Sequence, residues 1–457
     1  MAGIFKAYDV RGIYPSEINE AKARQIGLAF QHVLDEGDRA GSSTVVVSRD
    51  MRSHSEPLQK AVIDGLTAAG LDVLDIGLAT TPMNYFAVGH TGAAGGVQVT
   101  ASHNPARYNG LKFSRKGAVP VSGDHGIALM EEKVAAGDLP EAASRGRVEH
   151  GDIAEDYRRH VLSHLHEPPG PGAAGGHPLK VVADAANGMG VLYQPLLEAM
   201  GIELVPLYFE LDGTFPNHEA NPLREENLRD LQEAVLAEGA AFGVAFDGDA
   251  DRSAFVDERG RAIGSDLVTA LIAGELLAES PGAAVVYDLR SSRATEEYIR
   301  EKGGEPVRER VGHSFMKATL RRKKGVFGGE LAGHYYFRDS FYADSSILAV
   351  VEILNLLRKS GKPLSELVQP LRRYAKSPEI NFEVEDKRGK MEELARRYAG
   401  ADVDWLDGIS VRFPTWWFNV RPSNTEPYLR LVLETDTPEE LERRLEELFG
   451  VLGEPAD

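Results

Sequence analysis

Apolar residues along this chain fall into short runs that alternate with longer stretches of helical period, and one such pattern recurs three times. The run at 44–47 predicts a strand, 56–69 a helix that Gly70 ends, and 71–76 a second strand. The order returns as a strand over 179–183, a Gly-containing loop, a helix to Met200, Gly201 and a strand over 202–207. It returns again as a strand over 284–288, a helix over 295–302, Gly303-Gly304 and a strand over 306–308. The glycines stand where a helix C-terminus takes a left-handed residue. Strands alternating with helices form mostly parallel sheets with helices on their faces. The pattern therefore predicts three related α/β domains with mixed, mostly parallel sheets, spaced too widely for a short-period solenoid.

The last part differs. Strand-like runs at 379–384 and 428–434 flank a helix over 391–398, and an amphipathic helix over 439–452 opens at Thr437-Pro438, an N-cap followed by Pro at the first helical position. This predicts a smaller α+β C-terminal domain. The expected domains are 1–150, 151–253, 254–369 and 370–457. The Pro- and Gly-rich stretch EPPGPGAAGGHP (167–178) reads as a loop inside the second of them.

Composition narrows the function classes. The 457 residues include 42% hydrophobic and 26% charged side chains, a globular balance. No apolar run approaches the roughly 20 residues that span a bilayer, and residues 1–9 lack the basic and apolar parts of a secretory signal, so a cytoplasmic protein is expected. A formal net charge of −19 opposes nucleic acid and anionic membrane as partners, but leaves room for a small anionic substrate bound by a few local cations. The absence of cysteine removes disulfides, thiolate nucleophiles and Cys-ligated zinc.

Four segments carry candidate chemistry. In Thr100-Ala101-Ser102-His103-Asn104-Pro105, after the apolar run 96–99, Ser102 is a candidate nucleophile with His103 beside it. A polar turn closed by Asn-Pro is the other reading, and no G-x-S-x-G elbow supports a hydrolase. In Asp247-Gly248-Asp249-Ala250-Asp251-Arg252, three carboxylates at alternate positions can converge on one hard cation, Mg²⁺ or Ca²⁺. An EF-hand is opposed by Arg252 at the sixth position, where that loop needs Gly. Gly328-Gly329-Glu330-Leu331-Ala332-Gly333-His334 offers an acceptor and a donor to sugar hydroxyls, or is simply a Gly-rich hairpin. Arg421-Pro422-Ser423-Asn424-Thr425-Glu426-Pro427 has the composition of a phosphate cradle, which short loops also share by chance.

Together, FKAYDVRG (5–12), TASHNPARYNGLK (100–112), FDGDADR (246–252), GGELAGH (328–334) and RPSNTEP (421–427) resemble the α-D-phosphohexomutase family, most closely its phosphomannomutase/phosphoglucomutase members. The resemblance covers nearly the whole chain, in the family's order. It implies four domains around a central cleft and a reversible phosphoryl transfer between the 1- and 6-positions of a hexose phosphate. Ser102 matches the serine carried as phosphoserine, and Asp247, Asp249 and Asp251, with that phosphoserine, match the Mg²⁺ ligands. Arg11 and Arg252 match residues that stabilise the moving phosphoryl group, and Lys112, His103 and His334 are candidates for proton transfer. Tyr8, His313, Glu330, His334, Arg421, Ser423, Asn424 and Thr425 match substrate-binding positions. A hexose 1,6-bisphosphate is implied as intermediate and activator, and a small-molecule hexose phosphate as partner; oligomeric state is unassigned. Two departures bear on the sugar: Ala332 stands where dual-specificity members usually have Ser, and Pro422 with Glu426 points toward mannose. Phosphoglucosamine mutase, a metal-dependent sugar phosphatase and a non-catalytic sugar-phosphate binder are the alternatives.

Overall fold

The computed structural model describes residues 3–34, 36–166, 178–423 and 428–456. The first sheet places strands in the order Val10–Ile13, Tyr108–Arg115, Gly95–Val99, Thr44–Arg49, Asp72–Leu78 and Val148–His150, with Val119–Pro120 against Tyr108–Arg115. The last four of that order run parallel. Gly95–Val99 is followed by an antiparallel return, Tyr108–Arg115.

The second and third sheets repeat this plan with five strands each. In the second, Glu203–Leu207, Lys180–Asp184 and Phe242–Phe246 are parallel, and Ser253–Asp257 then Ala262–Ile263 return antiparallel. In the third, Glu305–Glu309, Ala284–Asp288 and Phe327–Gly329 are parallel, followed by antiparallel Tyr335–Phe337 and Ala343–Asp344. The fourth sheet is antiparallel throughout, with Ala375–Lys376 and Ile380–Glu383 both on Tyr428–Thr435, then Trp416–Pro422, Ile409–Arg412 and Asp402–Asp404.

In each of the first three sheets the turn from the third parallel strand into the antiparallel return is one of the chemistry-bearing segments. Ser102, the three aspartates and Glu330-to-His334 thus hold equivalent places in three copies of one fold. This corrects the boundary expected at 253/254. Ser253–Asp257 is hydrogen-bonded along its whole length to Phe242–Phe246, so the second sheet continues through Ile263. The hairpin turn is itself the acidic loop, and a cut beside it divides a hairpin. Likewise the fourth sheet takes up the chain at Ala375, after the helix Leu364–Val368 has packed under the third domain. Residues 167–177 of the Pro- and Gly-rich stretch lie outside the described residues.

One apolar core runs through the first three domains, from Phe86 through Phe242 to Leu354. The fourth domain has a separate core around Trp416, Phe418 and Leu431. It meets the third domain through charged pairs instead: Arg293 with Glu434 (3.2 Å) and Asp436 (2.7 Å), Lys376 with Asp266, and Arg308 with Asp404. No helix among the described residues is long and apolar enough to cross a membrane.

A buried carboxyl in the shared core carries a stability prediction. Glu352, in the helix Ser346–Ser360, is 3% exposed, and its Oε2 has no hydrogen-bond partner among the described residues. Burial, opposed by Asn355 and reinforced by Glu275 and Glu279, pushes it up to about 8. The unfolded chain ionises this group near its ordinary value while the fold retains the proton. Stability is therefore whole at low pH and lost as pH rises toward 8, a cost on the order of 3 kcal/mol at pH 7. Glu352→Gln removes that cost. Its thermal unfolding midpoint is expected well above wild type at pH 8 and close to it at pH 5, read by calorimetry.

Candidate active site

Ser102 sits just past the strand Gly95–Val99 with φ +50°, a left-handed conformation uncommon for a residue with a Cβ. Its amide donates to Thr100 Oγ1 (2.9 Å). The loop is held from below by Arg52, whose side chain is fully buried. The guanidinium donates to the carbonyls of Ser102 (2.9 Å), Asn104 (2.6 Å), Pro105 (2.9 Å) and Tyr108 (3.1 Å), and to Asp50 (3.2 Å). Five donors in a rigid fork suit a guanidinium to fixing a backbone curve.

The acidic loop curls because Asp247 Oδ1 accepts from the amides of Asp251 and Arg252, both at 3.1 Å. It lies directly against the serine loop: a Cβ at Gly248 would stand 2.3 Å from the Ser102 carbonyl oxygen, so only glycine fits there. Ser102 Oγ donates to Asp247 Oδ2 (2.7 Å) and accepts from Arg252 Nη2 (3.0 Å). His103 Nδ1 lies 3.3 Å from the same hydroxyl and in contact with Arg252.

Asp247, Asp249 and Asp251 are buried and bring one carboxylate oxygen each within 4.8 Å of one another. Lys112 Nζ bridges Asp249 (2.6 Å) and Asp251 (2.5 Å), and Thr81 Oγ1 donates to Asp249 (2.6 Å). Three carboxylates face two cations, Lys112 and Arg252. Burial, against the pull of Arg252, pushes Asp247 up to about 7. Asp249 is held below the usual carboxylate range because Lys112 outweighs its burial. Asp249 Oδ1 and Asp251 Oδ1 are buried without a hydrogen-bond partner among the described residues. All-oxygen ligands, an excess of negative charge and unused inward lone pairs fit a hard divalent cation such as Mg²⁺.

Of the other predicted residues, His103 and His334 adjoin this centre. Arg11, from Val10–Ile13, reaches Asn104 Oδ1 (2.5 Å) and pairs with Asp9. Burial and Arg252 drive His103 well below its ordinary value, leaving a neutral imidazole. His334 Nδ1 meets Asp344 (2.9 Å) and lies 3.8 Å from Asp251; these carboxylates raise it despite burial. His313 packs edge-on against Tyr8, with ring centroids 5.2 Å apart, and Tyr8 donates to the Val311 carbonyl (3.4 Å). Burial, with Glu330 nearby, pushes the Tyr8 phenol up to about 12. Both oxygens of Glu330 are engaged within the protein, by the Gly312 amide (2.9 Å) and the Tyr336 hydroxyl. That contact set is conformational support beside the sugar contact expected for it. Arg421 is buried at the end of Trp416–Pro422, and the Ser423 amide donates to the Tyr428 carbonyl (2.9 Å). Asn424 and Thr425 lie outside the described residues.

Several residues that support these segments carry no motif of their own: Arg52, Thr81, Asp344 with its partner Lys317 (2.7 Å), and Arg290 with Glu379 (3.2 Å), the latter on Arg421 (2.9 Å). A signal for two of them was present in the repeat. Asp50, Asp184 and Asp288 each follow or end the first strand of their copy of the strand–helix–glycine–strand repeat, and each accepts from the amide two residues on, at 3.0, 2.8 and 2.8 Å. Arg52 and Arg290 occupy that second position, and each turns back onto its aspartate.

Family comparisons match the chain along its length. Phosphoglucomutase/phosphomannomutase alpha/beta/alpha domain I matches residues 2–140, domain II 157–260, domain III 264–374 and the C-terminal domain 379–451. The chain belongs to the phosphoglucomutase/phosphomannomutase family. It is 41% identical to a protein described as phosphohexose mutases from Xanthomonas campestris, with 98% of each chain covered. It is 38% identical to a phosphomannomutase of Escherichia coli K12, covering 98% of this chain and 99% of the other. A solved phosphoglucomutase/phosphomannomutase family protein from Burkholderia thailandensis superposes with a TM-score of 0.88 at 35% identity, covering 98% of this chain and 96% of that one. As a member of this family the chain is an enzyme of the mutase class. The family's three α/β domains and C-terminal domain are the four described above.

Proposed function

We propose that this mutase moves a phosphoryl group between the 1- and 6-positions of a hexose phosphate, mannose or glucose, and carries it on Ser102. The observation that supports this most is the single point where Ser102 Oγ meets Asp247 (2.7 Å) and Arg252 (3.0 Å) at the edge of the three-aspartate cluster. A nucleophilic oxygen, a guanidinium for phosphoryl oxygens and a hard-cation site fall together there. Asp247, Asp249 and Asp251, with an oxygen on Ser102, would hold Mg²⁺, which when bound neutralises charge on the transferring phosphoryl group.

The phosphorylated Ser102 gives its phosphoryl group to the free hydroxyl of a hexose monophosphate. The sugar O–P bond forms, the seryl O–P bond breaks, and the hydroxyl proton leaves while the seryl oxygen regains one. Lys112 is held protonated because Asp249 and Asp251 outweigh its burial, so it enters as a cation or acid. His103, kept neutral, enters as an acceptor. Arg11 and Arg252 face the charge on the moving oxygens. Arg421 with Ser423, Asn424 and Thr425 holds the phosphate that does not react. The 1,6-bisphosphate then turns end for end and returns its other phosphoryl group to Ser102. Closure and reopening of the fourth domain, joined to the third through charged pairs, accommodate that turn.

The test incubates the purified chain with Mg²⁺, a trace of hexose 1,6-bisphosphate and, in parallel, mannose, glucose and glucosamine 1-phosphates. The 6-phosphate of mannose or glucose is expected to appear, to stop on chelation and to resume when Mg²⁺ is restored. The ratio of the sugars reads the effect of Ala332, which presents no hydroxyl between Glu330 and His334. Conversion of glucosamine phosphate alone moves the assignment to a phosphoglucosamine mutase, and release of inorganic phosphate without isomerisation moves it to a phosphatase.

A further inference from the structure

Glu379 stands in the fourth domain, between Ala375–Lys376 and Ile380–Glu383, and it gathers three guanidinium groups. Its Oε2 accepts from Arg421 Nη2 (2.9 Å) and Arg290 Nη1 (3.2 Å), and its Oε1 from Arg430 Nη1 (3.1 Å). Arg421 and Arg430 are direct cross-strand partners on Trp416–Pro422 and Tyr428–Thr435. Like charges placed opposite each other on neighbouring strands repel, so this pair needs an anion. Arg290, from the third domain, adds a third positive charge beside it.

The arrangement resembles an occupied anion site in which the anion belongs to the protein. Burial opposes the charge on Glu379, yet Arg290, Arg421 and Arg430 outweigh it and hold the carboxyl at about 2. Arg421 also keeps a buried Nε–H without a hydrogen-bond partner among the described residues, so its donor capacity is not exhausted.

We propose that Glu379 is an internal counter-ion of the phosphate cradle, which occupies Arg421 while no phosphate is docked and weakens the hold on a phosphate that arrives there. The inference rests on the reading that Arg421 takes the non-reacting phosphate. A docked phosphate and the Glu379 carboxylate share one guanidinium, and at such range two negative charges oppose each other by an order of magnitude or more in affinity. A mutase that turns a bisphosphate end for end needs a cradle that lets go. A cluster of three arginines with no opposing carboxylate retains either phosphate and delays the turn. Glu379 also offers Arg421 a partner at the moment the phosphate leaves, so the guanidinium is not stranded as a buried lone charge.

The test compares full-length wild type, Glu379→Gln and Arg421→Met for binding of inorganic phosphate and of mannose 6-phosphate by titration calorimetry. Glutamine keeps the shape and one acceptor oxygen and removes the charge. Glu379→Gln is expected to bind both anions about tenfold more tightly, and Arg421→Met to lose that binding; anion binding undiminished in Arg421→Met overturns the proposal. In turnover assays KM and kcat of Glu379→Gln should fall together. A carboxylate that merely orients Arg421 gives the opposite sign, and unchanged or weaker anion binding in Glu379→Gln overturns the proposal. Inorganic phosphate that binds more tightly in the variant while the 6-phosphates of mannose, glucose and glucosamine all fail to bind even wild type supports the counter-ion and sinks the hexose phosphate reading instead. If the glutamine variant does not fold, Glu379→Asp keeps the charge but withdraws it by one methylene, and a smaller tightening in the same direction is expected.

Discussion

Ser102→Ala is expected to abolish conversion of hexose 1-phosphate to 6-phosphate, by at least about 10⁴-fold, while leaving hexose phosphate binding within a few-fold of wild type. The substitution removes one oxygen that meets Asp247 and Arg252. Those two remain paired with each other at 2.9 Å, so no buried charge is orphaned and the fold should tolerate the change. The cradle at Arg421 lies in another domain and keeps its contacts. Steady-state turnover, calorimetry with mannose 6-phosphate, and the mass of the protein after exposure to a hexose 1,6-bisphosphate separate these effects. Wild type should gain one phosphoryl group and the variant none. Substantial isomerisation by the alanine variant would remove Ser102 from the pathway.

The second large effect is expected at Arg52, which touches no reacting atom. Arg52→Met takes a guanidinium donor from the carbonyls of Ser102, Asn104, Pro105 and Tyr108, of which Pro105 keeps the Tyr108 amide (3.0 Å), and leaves Asp50 without its cation. A buried charge stripped of its partner costs about 3–5 kcal/mol, and each unsatisfied carbonyl adds to that. The serine loop, freed from its clamp, can relax from the left-handed conformation at Ser102, and a shift of the order of 1 Å in a nucleophile costs about 10²-fold in rate. Arg52→Lys separates the two consequences. It keeps the charge but not the planar five-donor fork, so it should remain folded yet lose kcat with KM little changed. It should also accept a phosphoryl group from the bisphosphate more slowly. A lysine variant with wild-type kcat and a lowered unfolding midpoint would confine Arg52 to stability.

Much of the site was legible because its loops are contiguous in the chain. Asp247, Asp249 and Asp251 stand out by alternate spacing, and Thr437-Pro438 by capping chemistry that the structure keeps, with Thr437 Oγ1 accepting from the Glu440 amide (3.3 Å); Ser102, which alone reads as a polar turn, stands out only in company with the other four segments. Residues that act across domains left no comparable mark. Thr81 meets Asp249 across 168 positions of sequence, and Ser102 meets Asp247 across 145. Glu330 shows the converse: its type and spacing point to a sugar contact, and only the fold reveals that the Gly312 amide and Tyr336 hydroxyl already engage it.

Periodicity and turn chemistry act over a few residues, and they suffice for the strand–helix–glycine–strand repeat, the distinct fourth domain and the chemical character of each loop. Tertiary structure alone decided that the hairpin turns of three related sheets face one point. It decided that three buried aspartates tolerate one another through Lys112 and Arg252. It decided too that the cross-strand arginines of the last domain are reconciled by Glu379. Those outcomes depend on charges drawn from separate domains into one poorly hydrated space, where a carboxylate or guanidinium is held only by the partner that folding brings to it.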